Sequence, residues 1–376
     1  MSDFPMAAVT RRSMYRRIHR WLGLTLVVLL GAQCITGTVL VFEEEIECLL
    51  NPALMCTEAP YREAMPLDTV ALRAQASLPA PAATGRRQLD VTRLGFGLNE
   101  NAAIRVRMRE REAPHAEIEA FLDPGGEVLG WRPHKSLGLS RSSIVPTLRE
   151  LHTKLLAGDI GKNVLGAVAF LWLLSGATGF YLSLPRNFSW ARWRFAWTLR
   201  RLGSAYELHR AGGLWLSGAA SIFALTAVLL VFDDSIFGAP DKPVSGPAEA
   251  TLGFDDVLAA AARHLPDNGK DYTLRELRRD PQHHSYRLDF RHVPAGGLWH
   301  RPDERLYLDA AEGALLRREG WVDAPPAERL RHLALPLHSG AVLGLPGRMA
   351  ASAAALLLLV QLVAGFALWR RRSAFS

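Results

Sequence analysis

The chain has 376 residues, of which 49% are hydrophobic and 22% charged, and its formal net charge is +7 at pH 7. This basic surplus alone would suit a nucleic-acid-binding protein. The arginines, however, are concentrated in short segments beside long apolar runs. No basic face remains for DNA or RNA, so we exclude nucleic acid as a partner.

Four charge-free windows predict four transmembrane helices, because about 20 apolar residues span the ~30 Å hydrocarbon core. Arginine-rich flanks mark the cytoplasmic side. We therefore predict a multi-pass protein of the bacterial inner membrane, in contact with lipid and with both termini cytoplasmic. The predicted segments are a cytoplasmic N-terminus (1–20), TM1 (21–42), a periplasmic segment (43–162), TM2 (163–185), a cytoplasmic loop (186–210), TM3 (211–232), a second periplasmic segment (233–348), TM4 (349–369) and a cytoplasmic tail (370–376).

The second half of the chain repeats the first. His19 aligns with His209 at an offset of 190 residues, and His152 aligns with His338 at an offset of 186. Each half starts inside, crosses the membrane and returns, so we predict a parallel internal duplication. Other matched positions are Gly23 and Gly213, Thr36 and Thr226, Gly158 and Gly344, and Gly179 and Gly365.

Both periplasmic segments show the same order of secondary-structure signals. Helical patterns near 67–77 and 254–264 precede stretches in which apolar and polar residues alternate. Glycine-containing turns then indicate hairpins at 121–132 and 307–318. We predict one small α+β module in each half.

Four histidines stand at matching ends of the predicted helices. His19 and His209 lie at the cytoplasmic side, and His152 and His338 lie at the periplasmic side. Two imidazoles that face one another supply both axial ligands of a haem iron. We predict two haem b groups, one between each pair. Nearby glycines that leave room for a macrocycle are Gly23, Gly158, Gly161, Gly212, Gly213, Gly340, Gly344 and Gly347, and candidate propionate partners are Arg16, Arg20, Lys154, Lys162, Arg210 and Arg348.

Other roles for these histidines stay open at this point. A single interfacial histidine usually contacts only headgroups, and imidazole also binds zinc or copper. The further histidines 283, 284, 292 and 300 fit no standard zinc spacing, and we interpret them as surface residues. The chain contains no CxxCH sequence, so a bound haem is not thioether-linked.

Two cysteines, Cys48 and Cys56, follow the first predicted helix and are candidates for a disulfide, which an oxidising compartment permits. Two reduced thiols are the alternative. If the two predicted haems transfer electrons, the donor has to be a quinol, a reduced flavin or a soluble reductase, because the chain contains no dinucleotide-binding fingerprint. Aromatic residues that are candidates to relay electrons between the two haems are Phe170, Trp172, Trp215 and Phe223.

The segments Ile18–Gly23, Leu151–Gly161 and Leu337–Gly347, together with the two hairpins, resemble the PepSY-associated transmembrane helix family. They are similar in particular to bacterial inner-membrane siderophore reductases of the ferrioxamine-reductase type. The resemblance implies PepSY-like periplasmic modules, two haem b groups on the four histidines, and reduction of a ferric siderophore in the periplasm. A non-enzymatic PepSY binding or assembly protein and a haem or metal transporter are the alternatives. Pro336 departs from the repeat, since an acid precedes His152.

Overall fold

The structure is a computed structural model, and the chain divides into two compact units. A helical unit comprises Met1–Val41, Leu148–Ala239 and Leu333–Ser376, and a sheet unit comprises Phe42–Thr147 and Pro240–His332. The residues that the structure describes are 4–57, 65–78, 89–97, 102–111, 117–134, 136–184, 205–238, 251–293, 299–321 and 324–373. The predicted cytoplasmic loop lies mostly outside them.

Helices and strands alternate in blocks along the chain. The helices are α1 (Phe4–Val41), α2 (Glu43–Leu50), α3 (Pro52–Met55), α4 (Leu67–Ser77), α5 (Ile144–Lys154), α6 (Gly158–Ser183), α7 (Ala205–Val231), α8 (Asp233–Phe237), α9 (Phe254–Ala262), α10 (Pro326–Ser339) and α11 (Gly344–Ser373). The strands are β1 (Leu89–Gly95), β2 (Ile104–Glu110), β3 (Glu117–Leu122), β4 (Val128–Pro133), β5 (Tyr272–Asp280), β6 (Ser285–His292), β7 (Glu304–Asp309) and β8 (Leu315–Glu319). Short 3₁₀ helices cover Pro266–Gly269 and Ala341–Leu343.

Among the described residues, four helical segments are long and apolar enough to cross a membrane, which confirms the four predicted spans. They are Arg11–Val41, Gly158–Ser183, Leu208–Val231 and Ala341–Arg371. The first and last extend beyond the charge-free windows. Arginine is a good helix former, so a helix does not end where its charged residues begin.

The four long helices form a bundle in which α1 and α7 lie diagonally opposite. Helix α1 packs against α6 and α11, and α7 packs against the same two helices. Leu26, Leu30 and Val168 are buried between α1 and α6, with Trp172 packed against them. Many other large apolar side chains of the bundle remain exposed, as expected for helices surrounded by lipid.

The described residues of the sheet unit form one antiparallel sheet of eight strands in the order β4-β3-β2-β1-β5-β6-β7-β8. Each half of the chain contributes a four-stranded meander, and β1 pairs with β5 where the meanders meet. The predicted hairpins are confirmed as β3–β4 and β7–β8. The strands of the two expected modules thus share one sheet, because this pairing satisfies edge hydrogen bonds that separate sheets would leave open.

Helices α4 and α9, both expected from the sequence, cover one face of this sheet and bury its apolar side chains. Their N-termini cap each other. Asp68 accepts backbone hydrogen bonds from Phe254 (2.8 Å) and Asp255 (3.2 Å). Asp255 in turn accepts from Leu67 (2.8 Å) and Asp68 (3.1 Å). The reciprocal caps tie the two helices together at one end.

Candidate functional site

The four histidines form two pairs inside the helical unit. His19 on α1 faces His209 on α7, with ring centroids 6.0 Å apart. His152 on α5 faces His338 on α10, with centroids 6.3 Å apart. The structure therefore brings together the same partners that the duplication indicates, and it includes all four in the helical unit.

Backbone carbonyls orient the rings of the first pair. Nδ1 of His19 lies 2.9 Å from the carbonyl oxygen of Ser175, and Nδ1 of His209 lies 3.1 Å from that of Gln361. Ser175 and Gln361 are matched at the offset of 186 residues. A carbonyl can only accept, so Nδ1 carries the proton and donates, which leaves a lone pair on Nε2.

Threonine hydroxyls orient the rings of the second pair. Nδ1 of His152 lies 2.8 Å from Oγ1 of Thr36, and Nδ1 of His338 lies 2.9 Å from Oγ1 of Thr226. Each hydroxyl donates its own proton to the carbonyl one turn earlier, at 2.7 and 2.6 Å. It therefore accepts from Nδ1–H, and Nε2 again keeps its lone pair. Burial, with a smaller contribution from His338, lowers the pKa of His152 to about 4, so its ring is neutral at pH 7.

The spacing within each pair suits a shared metal ion with imidazole on both sides. With metal–nitrogen bonds of about 2.0 Å, the centroids of two such rings are about 6.2 Å apart. Among the described residues no group of three or more His, Cys, Asp and Glu side chains is placed to hold a metal ion. Two imidazoles per site do not complete a tetrahedral zinc site. They do complete the coordination of an iron that a porphyrin already holds in its plane.

Three glycines let helices approach the rings closely. A Cβ atom would lie 2.8 Å from Cε1 of a histidine ring at Gly179 and at Gly365, and 3.0 Å from one at Gly37. His338 instead has the ring of Phe223 beside it, at 5.6 Å between centroids. These contacts were not predicted from the sequence, although the match of Gly179 with Gly365 was a signal for them.

The glycines proposed from the sequence have other neighbours. Gly23 and Gly158 face open space, whereas Gly212 and Gly213 face the side chain of Gln361. The amide of Gln361 also donates to the carbonyl oxygen of His209. In the first half the hydroxyls of Ser175 and Thr178 lie 3.5 and 3.4 Å from Nδ1 of His19 instead.

A groove of about 520 Å³ lies between α6 and α7. Small residues give it its width. They include Gly176, Ala177, Ser217 and Gly218. None of the four histidines lines this groove, so the fit of the residues present to a haem rests on the ring spacing and the Nδ1 hydrogen bonds of the two pairs.

The basic side chains near the pairs have partners of their own. Arg348 donates to the carbonyl oxygen of Val41 at 2.6 and 3.0 Å and so binds the end of α1. Lys154 lies 3.9 Å from Glu150. The guanidinium of Arg20 stacks over the ring of Trp21.

The two histidine pairs lie at different depths in the bundle. Seventeen residues separate His19 from Thr36 on α1, which corresponds to about 26 Å along the helix. Of the aromatic residues considered as relays, Trp172 packs in the buried cluster between α1 and α6. Phe170 and Trp215 are 54% and 57% exposed and face away from the bundle centre.

Cys48 and Cys56 are joined in a disulfide with their Cα atoms 5.6 Å apart, a usual separation for such a bond. Cys34 is buried and has a free thiol. In the sheet unit, Nδ1 of His283 lies 2.7 Å from Asp280. His292 is buried and packs edge-on against Tyr272 rather than lying at the surface, contrary to our interpretation of the sequence.

Four helices long and apolar enough to cross a membrane, together with an antiparallel sheet unit, define a multi-pass membrane protein. Its paired histidines lie on two of these helices, α1 and α7, and on the shorter helices α5 and α10. Residues 16–372 match the family model described as the PepSY-associated TM region, and the chain belongs to that family. A search of curated proteins finds no match to it. The expected family is thus confirmed over nearly the whole chain.

Proposed function

We propose that the protein is an inner-membrane di-haem b oxidoreductase that reduces a ferric siderophore in the periplasm and so releases its iron. One observation carries the proposal: two imidazole pairs, at 6.0 and 6.3 Å, are oriented by equivalent hydrogen bonds in both halves of the chain. Haem bound at these pairs supplies reversible one-electron chemistry.

The protein's own residues hold and orient the ligands. His19 with His209 and His152 with His338 are the residues that would hold the two haem groups. The carbonyls and threonine hydroxyls on Nδ1 fix the tautomer and the ring orientation, as outer partners of metal-ligating histidines generally do. The surrounding apolar helices exclude water. The equivalence of these bonds in the two halves supports an origin by duplication.

The direction of electron flow follows from the proposed orientation. Arginine-rich flanks support cytoplasmic termini and a periplasmic sheet unit, and the Cys48–Cys56 disulfide suits an oxidising compartment. A quinol, a reduced flavin or a soluble reductase is the proposed electron source. Hydroxamate and catecholate oxygens are hard donors that favour ferric over ferrous iron, so reduction weakens the chelate.

No catalytic acid or base is part of the proposal, because one-electron transfer to a chelated iron requires none. A purely PepSY-type binding protein or a haem or metal transporter needs no second pair of matched imidazoles at another depth of the bundle. The two pairs therefore favour an electron-transfer protein.

The proposal is tested by mixing the dithionite-reduced, purified protein with a ferric siderophore without oxygen. We expect the reduced haem absorbance to decay while a ferrous-iron chelator captures the released iron. His152→Ala should lose this reaction and retain the haem at the first pair, whereas His264→Ala in the sheet unit should behave as the parent. Parental rates in His152→Ala, or no oxidation of the parent by any ferric siderophore, would refute the proposal.

A further inference from the structure

One row of polar side chains crosses the sheet on the face opposite to α4 and α9. Residues directly opposite each other in register share a face, so the row can be followed from strand to strand. From β4 to β8 it contains Arg132, Glu119, Arg107, Arg93, Arg278, Arg287, Tyr307 and Arg317. Its four central members, Arg107, Arg93, Arg278 and Arg287, are consecutive arginines, and we call them the arginine row.

Four like charges side by side oppose folding of the sheet. Directly opposed residues of an antiparallel pair have Cβ atoms about 4.5–5.5 Å apart, where like charges are destabilising. Burial, together with the charges of Arg278 and Arg107, lowers the pKa of Arg93 to about 10 despite the opposing effect of Glu276. Arg93 is still charged at pH 7, so its repulsion with its neighbours remains.

Carboxylates of the same face offset part of this repulsion. Glu276 pairs with both Arg93 and Arg278. Glu119 pairs with Arg107 at 2.8 Å, and Asp289 pairs with Arg287 at 2.6 Å.

The ion pairs among the described residues of this face join eleven arginines to eight carboxylates. The arginines are 93, 105, 107, 109, 111, 132, 278, 287, 291, 305 and 317, and the carboxylates are 44, 47, 90, 117, 119, 276, 289 and 319. Within the described part of the chain, Nε of Arg107 is also buried without a hydrogen-bond partner. The face therefore has positive charge in excess of its own anions.

We propose that the arginine row binds the ferric siderophore and selects chelates of net negative charge with carboxylate or catecholate oxygens. This rests on the proposed function and names its substrate class. A guanidinium donates two parallel hydrogen bonds to such oxygens. The four side chains are 21% to 42% exposed and thus within reach of a ligand.

The dimensions of the row favour a small chelate over a membrane surface. Three inter-strand spacings of about 4.8 Å give a length of about 14 Å. Basic residues that bind lipid headgroups usually accompany apolar side chains that enter the bilayer. The arginine row instead crosses the middle of the strands, and its neighbours on the face include the charged residues Arg105, Glu276 and Asp289.

The test measures binding of gallium(III) citrate, an anionic chelate that cannot be reduced, to the full-length haem-loaded protein by calorimetry. The parent should bind it, should bind cationic gallium(III) desferrioxamine at least tenfold more weakly, and should lose affinity as salt rises. Arg93→Gln and Arg278→Gln should each weaken citrate binding at least tenfold. Arg111→Gln, which removes an exposed pair with Asp90 on the same sheet, is the matched control.

Unchanged haem spectra and melting temperatures would show that the two row variants are folded. If either variant does not fold, Arg287→Gln is measured in its place. Parental affinity in the row variants would overturn the proposal. So would binding of vesicles containing anionic phospholipid in place of the gallium chelate. Gallium stays trivalent, so its binding does not depend on reductase activity. If the protein binds gallium citrate through the arginine row but reduces no siderophore, the binding site is supported and the reductase activity is refuted.

Discussion

Thr36 and Thr226 decide which ring nitrogen of His152 and His338 is available to a metal. Each hydroxyl donates to its own helix and therefore accepts from Nδ1–H. Partners of this kind typically contribute 10–100-fold to metal affinity. In the proposed haem site, the hydroxyls are thus positioning groups whose loss should affect haem binding more than folding.

Thr36→Val removes the acceptor and preserves the shape of the side chain. We expect haem affinity at the second pair to fall about 10–100-fold, as measured by titrating haem into the apoprotein. Thr38→Val is the control, because Thr38 lies two residues after Thr36 on the same helix. Its hydroxyl donates to the carbonyl oxygen of Cys34. Equal losses in both variants would mean that the histidine contact has no special role.

Gly179→Ala should displace the ring of His19, since the added Cβ would lie 2.8 Å from Cε1. We expect loss or a changed spectrum of the haem at the first pair, with the second unaffected. Gly176→Ala lies on the same helix as Gly179 and adds a Cβ with no atom within 4 Å. It should preserve both haems, and a parental spectrum in Gly179→Ala would contradict the close packing.

For single residues, the sequence indicated the pairing of the histidines but not the side chains that surround them. The repeat aligned the histidines, Thr36 with Thr226 and Gly179 with Gly365, but it could not tell which of these lie against a ring. That depends on the rotation of each helix about its axis. Gly37 shows the limit, because its matched position is Ala227 and the second half uses Phe223 instead.

Helices α4 and α9 depend on one another through Asp68 and Asp255. Each carboxylate satisfies backbone N–H groups at the start of the other helix, which have no partner within their own helix. Loss of an N-terminal cap typically costs about 0.5–2 kcal/mol.

Asp68→Ala should therefore destabilise the sheet unit by about 1–2 kcal/mol. Hydrogen exchange of the strand amides in the full-length protein would measure this change without depending on haem. Asp256→Ala is the control, because Asp256 is an exposed acid in the first turn of α9. If both variants exchange alike, the reciprocal caps contribute no more than a surface charge.

Local patterns sufficed for the individual elements but not for their long-range pairing. Alternating residues indicated strands such as β2 and β6, and turn residues indicated both hairpins. The pairing of β1 with β5 joins residues more than 180 positions apart, and no local signal specifies it. The arginine row exists only through this register, so the sequence could not reveal it.

The whole molecule combines four membrane-spanning helices with a sheet unit on the side that we propose to be periplasmic. The spans could be predicted from the sequence because every helix that crosses a bilayer needs about 20 apolar residues. The orientation of the protein in the membrane is predicted from the excess of arginine on one side of the helices. Several of these arginines lie outside the described residues.

The orientation predicts the labelling of cysteines in intact spheroplasts. A membrane-impermeant maleimide should label Cys48 and Cys56 only after reduction of their disulfide. Buried Cys34 should stay unlabelled, and a Cys48→Ser, Cys56→Ser double variant should show no signal. Labelling of the parent only after the membrane is permeabilised would reverse the proposed orientation.

The central claim is that each chain holds two haem b groups on two histidine pairs. A dithionite-reduced minus oxidised spectrum of the purified protein, with haem and protein quantified together, tests it most directly. We predict low-spin b-type bands with two haems per chain, and one per chain in His152→Ala. One haem per parent chain, or none, would contradict the account.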